Sequence, residues 1–279
     1  LDRRCVELAA FALAFTAWKY PGAGGYRILP ELNIACSGLA ISAKNEDWLA
    51  LAGENTNLHL ALNELYNQFK DASILGSLIN PEACLGKGTL FELEWEDVGP
   101  LLIRVLSEEK DDEKAEMGVV ALGIAKSVNI LSRNFDLVFT NVPYLGYKKM
   151  DSTLKQFCEA NYANTKADLA MVVFERCIRF CKPGGAVSAV LPQTFSFLGT
   201  FINFRKELLE KYSISSFVKL GTKAFQTQLY DFNVSLFQLV RIKPCSGHSF
   251  FVIDISKDNA PERDLFLQNQ SAQLVNQER

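Results

Sequence analysis

NFDLVFTNVPYLGYKKM, residues 134–150, decides how this chain is read. The apolar run Leu137 to Phe139 reads as a buried strand, and Asn141-Val142-Pro143-Tyr144 stop it at once. No acid, histidine or thiol stands beside the tetrapeptide. Pro143 keeps Val142 extended and, through its own fixed φ, stiffens the corner. The Asn141 side-chain oxygen and the Val142 carbonyl are thereby two acceptors in fixed positions, suited to both hydrogens of an NH₂ group. Tyr144 follows with a ring able to lie against a planar heterocycle. An amine on an aromatic ring is a poor nucleophile because its lone pair is drawn into the ring. Accepting both N–H bonds from one side bends the nitrogen toward a tetrahedral shape and frees that pair, with no group of tuned pKa required. The same four residues also fit an ordinary turn, with Asn141 capping local backbone and Tyr144 packed on the core.

Downstream, KADLAMVVFERCIRFCK (166–182) has the spacing of an amphipathic helix, ended by Pro183-Gly184-Gly185 as a sharp turn into the strand AVSAVLP (186–192). FINFRKELLEKYS (201–213) is a further helix, and ISSFVKLG (214–221) and NVSLFQLVRIK (233–243) are further strands. The loop 222–232 between those two allows an antiparallel pair at the sheet edge. Upstream, CVELAAFALAFTAW (5–18) is a helix, apolar on nearly all sides and therefore expected to be buried. PGAGGY (21–26) follows a helix rather than a strand, so it reads as a plain loop and not a phosphate cradle. LNIACSGLAI (32–41) reads as a buried strand with its C-terminal turn.

Between these parts, LHLALNELYNQFKDASILGSLI (58–79), VGPLLIRVL (98–106) and EKAEMGVVALGIAKSVNIL (113–131) keep helical spacing. The charged run SEEKDDEKAE (107–116) is a solvated connector or helix end. The expected division is therefore 1–45, the remainder of a cofactor-binding half; 46–130, a helical insertion; 131–256, a catalytic half; and 257–279, a polar linker. Strands alternating with helices imply an α/β fold with a mostly parallel sheet. Ligands of such sheets gather outside the carboxyl ends of the strands. Three loops fall there in this reading: Cys36-Ser37-Gly38, Asn141 to Tyr144, and Pro192-Gln193-Thr194.

Composition narrows the function. The 279 residues are 48% hydrophobic and 22% charged, enough for a sizeable core. Seven cysteines without a CxxC pair point to reduced core thiols in a cytoplasmic protein. His59 and His248 are too few and too isolated for most metal sites, so no metal is expected. A formal charge of −3 argues against high-affinity DNA binding by the chain alone, while leaving nucleic acid open as a substrate. No apolar run approaches the ~18 residues of a membrane span.

The tetrapeptide resembles motif IV of the amino-methyltransferases, (Asp/Asn/Ser)-Pro-Pro-(Tyr/Phe), which follows the fourth strand of a class I S-adenosylmethionine-dependent fold. LDRRCVELAAFAL, NIACSG, NVPYLGYKK, TKADLAMVVFERCIRFCKPGGAVSAVLPQTFSFL, and KLGTKAF with NVSLFQLVR occur in the order of the adenine-N6 DNA methyltransferases of restriction-modification and BREX-type (PglX-like) phage-defence systems. That resemblance implies an α/β, Rossmann-like class I methyltransferase sheet whose first strand and motif are missing, with a helical insertion. It implies methyl transfer from S-adenosyl-L-methionine to a flipped-out adenine of double-stranded DNA, with a separate target-recognition domain downstream and no membrane. By position, Asn141 and the Val142 carbonyl receive the amine, Pro143 stiffens the corner, Tyr144 stacks on the base, and Phe225 supplies the second aromatic wall. Cys36, Ser37 and Gly38, with Asn141, contact the cofactor. Lys166, Ala167, Asp168 and Leu169 help line the pocket, although Asp168 reads equally as a helix N-terminal acid.

The chain departs from that pattern in three places. Val142 replaces the first proline; Ser37-Gly38 stand where many relatives carry an acid; and the glycine-rich first motif and its ribose-binding acid are absent. The expectation is thus an N-terminally truncated catalytic-domain fragment, inactive alone. Two alternatives remain: a non-catalytic domain acting in DNA binding or assembly, and a methyltransferase acting on protein glutamine or RNA.

Overall fold

The computed structural model describes residues 3–22, 24–30, 32–41, 43–81, 112–222, 224, 232–256 and 272–278. They divide into two units, residues 1–133 and 134–279, and all strands among the described residues lie in the second. The first unit thus combines the segment 1–45 with the helical segment 46–130.

The first unit holds α1 (Arg3–Lys19), α2 (Asn45–Ala50), α3 (Thr56–Phe69), α4 (Ala72–Leu75) and α5 (Asp112–Leu131). Asn55 starts α3, its side chain accepting from the Leu58 N–H at 3.0 Å. Leu58, Ala61, Leu62, Leu65 and Phe69 then recur at helical spacing and are all buried. Trp48 of α2 is buried beside them, and its indole N–H donates to the Leu62 carbonyl at 2.8 Å. α4 stops at Gly76, whose φ of +51° suits glycine. VGPLLIRVL and the first half of the charged run lie outside the described residues.

Two expectations change here. α1 is a helix, but Leu8, Phe11, Leu13 and Phe15 are exposed rather than buried, Leu8 by 67%. Apolar side chains spread around the whole circumference leave some outward whichever face packs, and Phe11 stacks on Phe15 one turn on at 5.9 Å. LNIACSGLAI forms no strand. A strand needs a neighbour for its N–H and C=O groups, and the described residues of this unit offer none. The segment instead turns at Ser37-Gly38, where Leu39 N–H donates to the Cys36 carbonyl at 3.4 Å.

The second unit is built on β1 (Phe135–Asn141), β2 (Cys181–Pro192), β3 (Ser213–Gly221), β4 (Val234–Val240), β5 (Ser249–Asp254) and β6 (Gln273–Asn276). Their spatial order is β1-β2-β4-β3-β5-β6. β1 and β2 are parallel, joined through α6 (Ser152–Asn161) and α7 (Leu169–Phe180); α8 (Ile202–Lys211) leads on to β3. β4 is antiparallel to both β2 and β3. The β3–β4 pair is therefore antiparallel as expected but lies inside the sheet, because β4 inserts beside β2 and satisfies both of its own edges.

β5 runs parallel to β3, and β6 closes the sheet antiparallel to β5. Residues 273–277 are accordingly no linker. Gln277 is buried, accepts from the Ile214 N–H at 2.9 Å, and donates to the Leu209 and Tyr212 carbonyls at 2.8 and 2.7 Å.

α7 packs Ala170, Met171, Phe174, Cys177 and Ile178 onto the sheet, against Val187, Ala189, Leu191, Phe237 and Leu239. Phe174 meets Phe204 and Phe237 edge-on at 6.3 and 5.7 Å. The expected turn at Pro183-Gly184-Gly185 is instead a bulge within β2. The strand begins directly at Cys181, opposite Phe135, and pairing resumes at Ala186 opposite Leu137. Glycine is required twice: Gly184 has φ +83°, and a Cβ on Gly185 would sit 2.8 Å from the Asp136 carbonyl oxygen.

Candidate functional site

β1 and β2 end side by side, with Asn141 opposite Val190. The segments that follow them, 142–144 and 192–194, therefore leave the same end of the sheet. Alternation along the extended chain turns Val142 inward, where it joins the α7–sheet core, and turns Asn141 and Pro143 outward. Among the described residues nothing hydrogen-bonds the Asn141 amide, which faces solvent. That exposure removes the reading of Asn141 as a backbone cap.

Tyr144 is half-buried, its ring resting on the core and its hydroxyl 3.5 Å from the Val190 carbonyl, a long contact. Burial first, and the nearby Asp168 carboxylate second, push its phenol up to about 12. At neutral pH Tyr144 is thus a neutral ring and not a base.

A short ribbon ties the next segment to the start of α7. Leu169 N–H donates to the Leu145 carbonyl at 2.9 Å, Tyr147 N–H to the Ala167 carbonyl at 3.0 Å, and Gly146 bridges Asp168. This register brings Lys166, Asp168 and Leu169 beside Tyr144 to Tyr147. Asp168 caps α7, accepting from the Ala170 N–H at 2.9 Å. Burial raises its carboxyl pKa, opposed by backbone hydrogen bonds from Ala170 and Leu145. On the other side, Gln193 N–H donates to the Asn233 carbonyl at 2.8 Å, joining the end of β2 to the start of β4.

Phe225 lies outside the described residues. A different aromatic, Phe232, meets the Tyr144 ring edge-on at 5.6 Å. No sequence signal marked it: its place follows from the pairing of Val234 with Pro192, which puts a residue just before β4 at the end of the sheet that carries Asn141.

Cys36, Ser37 and Gly38 belong to the first unit. Cys36 and Ser37 are buried, and the Ser127 hydroxyl of α5 bonds the Cys36 carbonyl at 3.0 Å. Residues 32–41 contain no carboxylate for ribose hydroxyls. Among the described residues, no cluster of His, Cys, Asp or Glu could hold a metal ion, and no helix is long and apolar enough to cross a membrane.

Comparison with known families gives a match over residues 2–225 to the Eco57I restriction-modification methylase family. The chain belongs to that family. The sheet of this Eco57I-family chain sets the reversed strand β4 between the mutually parallel β2 and β3. The chain is 28% identical over 245 residues to the adenine-specific methyltransferase BrxX of Escherichia coli O9:H4 (strain HS), covering 81% of this chain and 20% of that protein. It is 28% identical over 167 residues to the adenine-specific methyltransferase PglX of Lacticaseibacillus casei (strain Zhang), covering 59% of this chain and 13% of that one. The chain thus spans no more than a fifth of the length of these relatives. Among solved structures it is similar to DrdV in its DNA complex, with a TM-score of 0.44 and 16% identity over 57% of this chain and 19% of that one. It is also similar to a class I S-adenosylmethionine-dependent methyltransferase of Listeria monocytogenes, with a TM-score of 0.37 and 14% identity over 80% of this chain and 88% of that one.

Proposed function

We propose that this chain is the catalytic segment of a DNA adenine-N6 methyltransferase acting in restriction-modification or phage defence. The observation that carries the reading is the solvent-facing Asn141 amide, held at the end of β1 by the buried Val142 and followed by the half-buried Tyr144 ring. Asn141 Oδ1 and the Val142 carbonyl accept the two N6 hydrogens of an adenine whose face lies along Tyr144. The amine must leave the duplex to reach them, since in the helix it is paired and stacked. With both N–H bonds held on one side, the nitrogen lone pair points away from the ring and toward the methyl donor. When bound, S-adenosylmethionine would supply that methyl group from its positively charged sulfur, which would keep the electron pair of the broken S–CH₃ bond and leave as a neutral thioether. Asn141 and Val142 then hold the nitrogen as its charge develops, and the surplus proton leaves through the Asn141 oxygen to solvent. Catalysis is positioning and electrostatics, in keeping with a site that brings together no titrating base.

Cys36, Ser37 and Gly38 are proposed for the adenine edge of the cofactor, and Lys166 and Leu169 for the wall of the base pocket. Asp168 serves that pocket indirectly, by fixing the start of α7. Double-stranded DNA is the proposed partner, selected by a recognition domain outside this chain.

The test is Asn141→Ala, assayed for transfer of labelled methyl to adenine in duplex DNA by the protein that contains this chain. Transfer should fall by at least about a hundredfold, the scale set by loss of one preorganised polar contact to developing charge. S-adenosylmethionine binding, measured by calorimetry, should stay within about twofold. Wild-type methylation by the variant would end the assignment of Asn141.

A further inference from the structure

Directly after the Tyr144 platform, the chain makes a single turn of 3-10 helix, Tyr147–Lys149, that exposes Lys148 and Lys149. The ribbon that pairs Tyr147 with Ala167 sets Lys166 beside this turn. Lys155 of α6 reaches back over the Tyr147 ring at 5.6 Å. Four lysines therefore gather around one turn. The carboxylates of the same segment are occupied otherwise: Asp151 accepts from the Thr153 N–H at 2.7 Å, Glu159 from the Tyr147 hydroxyl at 2.6 Å, and Asp168 caps α7. Among the described residues, no acid lies within ion-pairing distance of Lys148, Lys149, Lys155 or Lys166.

Lysines elsewhere in the unit are treated differently. Lys182 pairs with Asp136 at 3.1 Å, Lys206 with Glu210 at 3.8 Å, Lys211 with Glu207 at 2.8 Å and Lys219 with Asp254 at 3.3 Å. Lys243 stands apart, beyond the end of β4 that pairs with Ala186 and so away from Asn141. In a chain of net charge −3, the described lysines of this unit that lack an acid partner are thus concentrated, Lys243 apart, at the motif-bearing end of the sheet. Lys148 lies four residues past Tyr144, a chain reach of at most ~14 Å.

We infer that Lys148 and Lys149, supported by Lys155 and Lys166, grip the phosphodiester backbone next to the nucleotide whose base rests on Tyr144. The inference rests on the reading of the site as a DNA adenine methyltransferase and adds where that site holds the strand. Phosphate contacts position without reading sequence, so this turn sets how the strand is presented and leaves target choice elsewhere. Each phosphate neutralised on duplex DNA steepens the fall of log K against log salt by about 0.9.

The experiment measures anisotropy of a fluorescein-labelled adenine-containing duplex with the protein, from 50 to 200 mM KCl. Lys148→Gln/Lys149→Gln should make the salt slope shallower by about 2 and weaken binding about tenfold at 150 mM. Lys206→Gln/Lys211→Gln, removing two ion-paired lysines of α8, should leave the slope unchanged and serves as the control for general charge. Calorimetric S-adenosylmethionine binding should be equal in all three proteins. An unchanged slope in that variant, an equal change in the α8 control, or no DNA affinity of the wild type at 50 mM overturns the inference. A shallower slope in a protein that transfers no methyl group would support the phosphate grip and refute the methyltransferase reading. Robust methylation with an unchanged slope would do the reverse.

Discussion

Of the three loops marked for ligand binding by the same rule, the structure treats two, Asn141 to Tyr144 and Cys36 to Gly38, differently. Asn141 to Tyr144 leaves a strand paired along its length with β2, and its geometry is inherited from that ladder. Cys36 to Gly38 leaves no strand; a hydroxyl from α5 and burial hold it instead. The rule that ligands gather at carboxyl ends of strands presupposes a strand, and a strand presupposes a neighbour. An apolar run without one settles into a turn. The first loop's shape is therefore a property of the sheet, whereas the second loop's shape depends on a few local bonds.

The sharpest way to break this contrast is through the core. Phe174 is fully buried between Phe204 and Phe237, in the same cluster as Val142. Phe174→Ala should destabilise the second unit by about 3–5 kcal/mol. Urea unfolding followed by the β-sheet signal in circular dichroism would measure it, and a loss below about 1 kcal/mol would mean that the sheet does not depend on this aromatic stack. Ser127→Ala should cost the first unit only about 1 kcal/mol, the net worth of one hydrogen bond. It should also raise hydrogen exchange around Cys36 to Leu39. Fluorescence of Trp48, which is buried in that unit, reports the stability change.

The smallest effect concerns Tyr144. Its phenol, raised to about 12 from an ordinary 10, binds its proton more tightly when folded than when unfolded. The folded state therefore holds more protons between those values, and stability falls as pH rises through them. Tyr144→Phe should match the wild type below pH 10 apart from the weak contact to Val190, and should lose less stability between pH 10 and 12. Parallel urea midpoints over that range would reverse the argument if the two proteins declined equally.

Legibility in the sequence followed the same divide. β2 to β4, α7 and α8 were readable because their apolar periods match the faces they bury, whereas β1 is a strand in which Leu137 and Phe139, expected to be buried, are exposed by 56% and 78%. The placing of Asn141 at the end of a strand was readable because an apolar run that meets a proline corner has few conformations. β5 escaped because FFVID carries no alternation strong enough to separate it from a loop, and β6 because QLVN becomes a strand only through β5 and the Gln277 amide. The exposure of α1 could not be read from composition, since an apolar circumference says how much is greasy and nothing about what covers it. Phe232 was hidden because its importance comes from the pairing of Val234 with Pro192, a contact far apart along the chain.

Under the proposed methyltransferase reading, Val142 has a consequence for how the activity would evolve. Val142 is bolted into the hydrophobic interior beside the amide proposed to receive the amine, so the spacing of the two oxygens is set by how Met171, Leu191 and their neighbours fill space. Conservative swaps there, neutral in folding assays, should surface as drift in turnover. A selection for faster methylation should therefore recover interior changes as readily as changes in the loop itself.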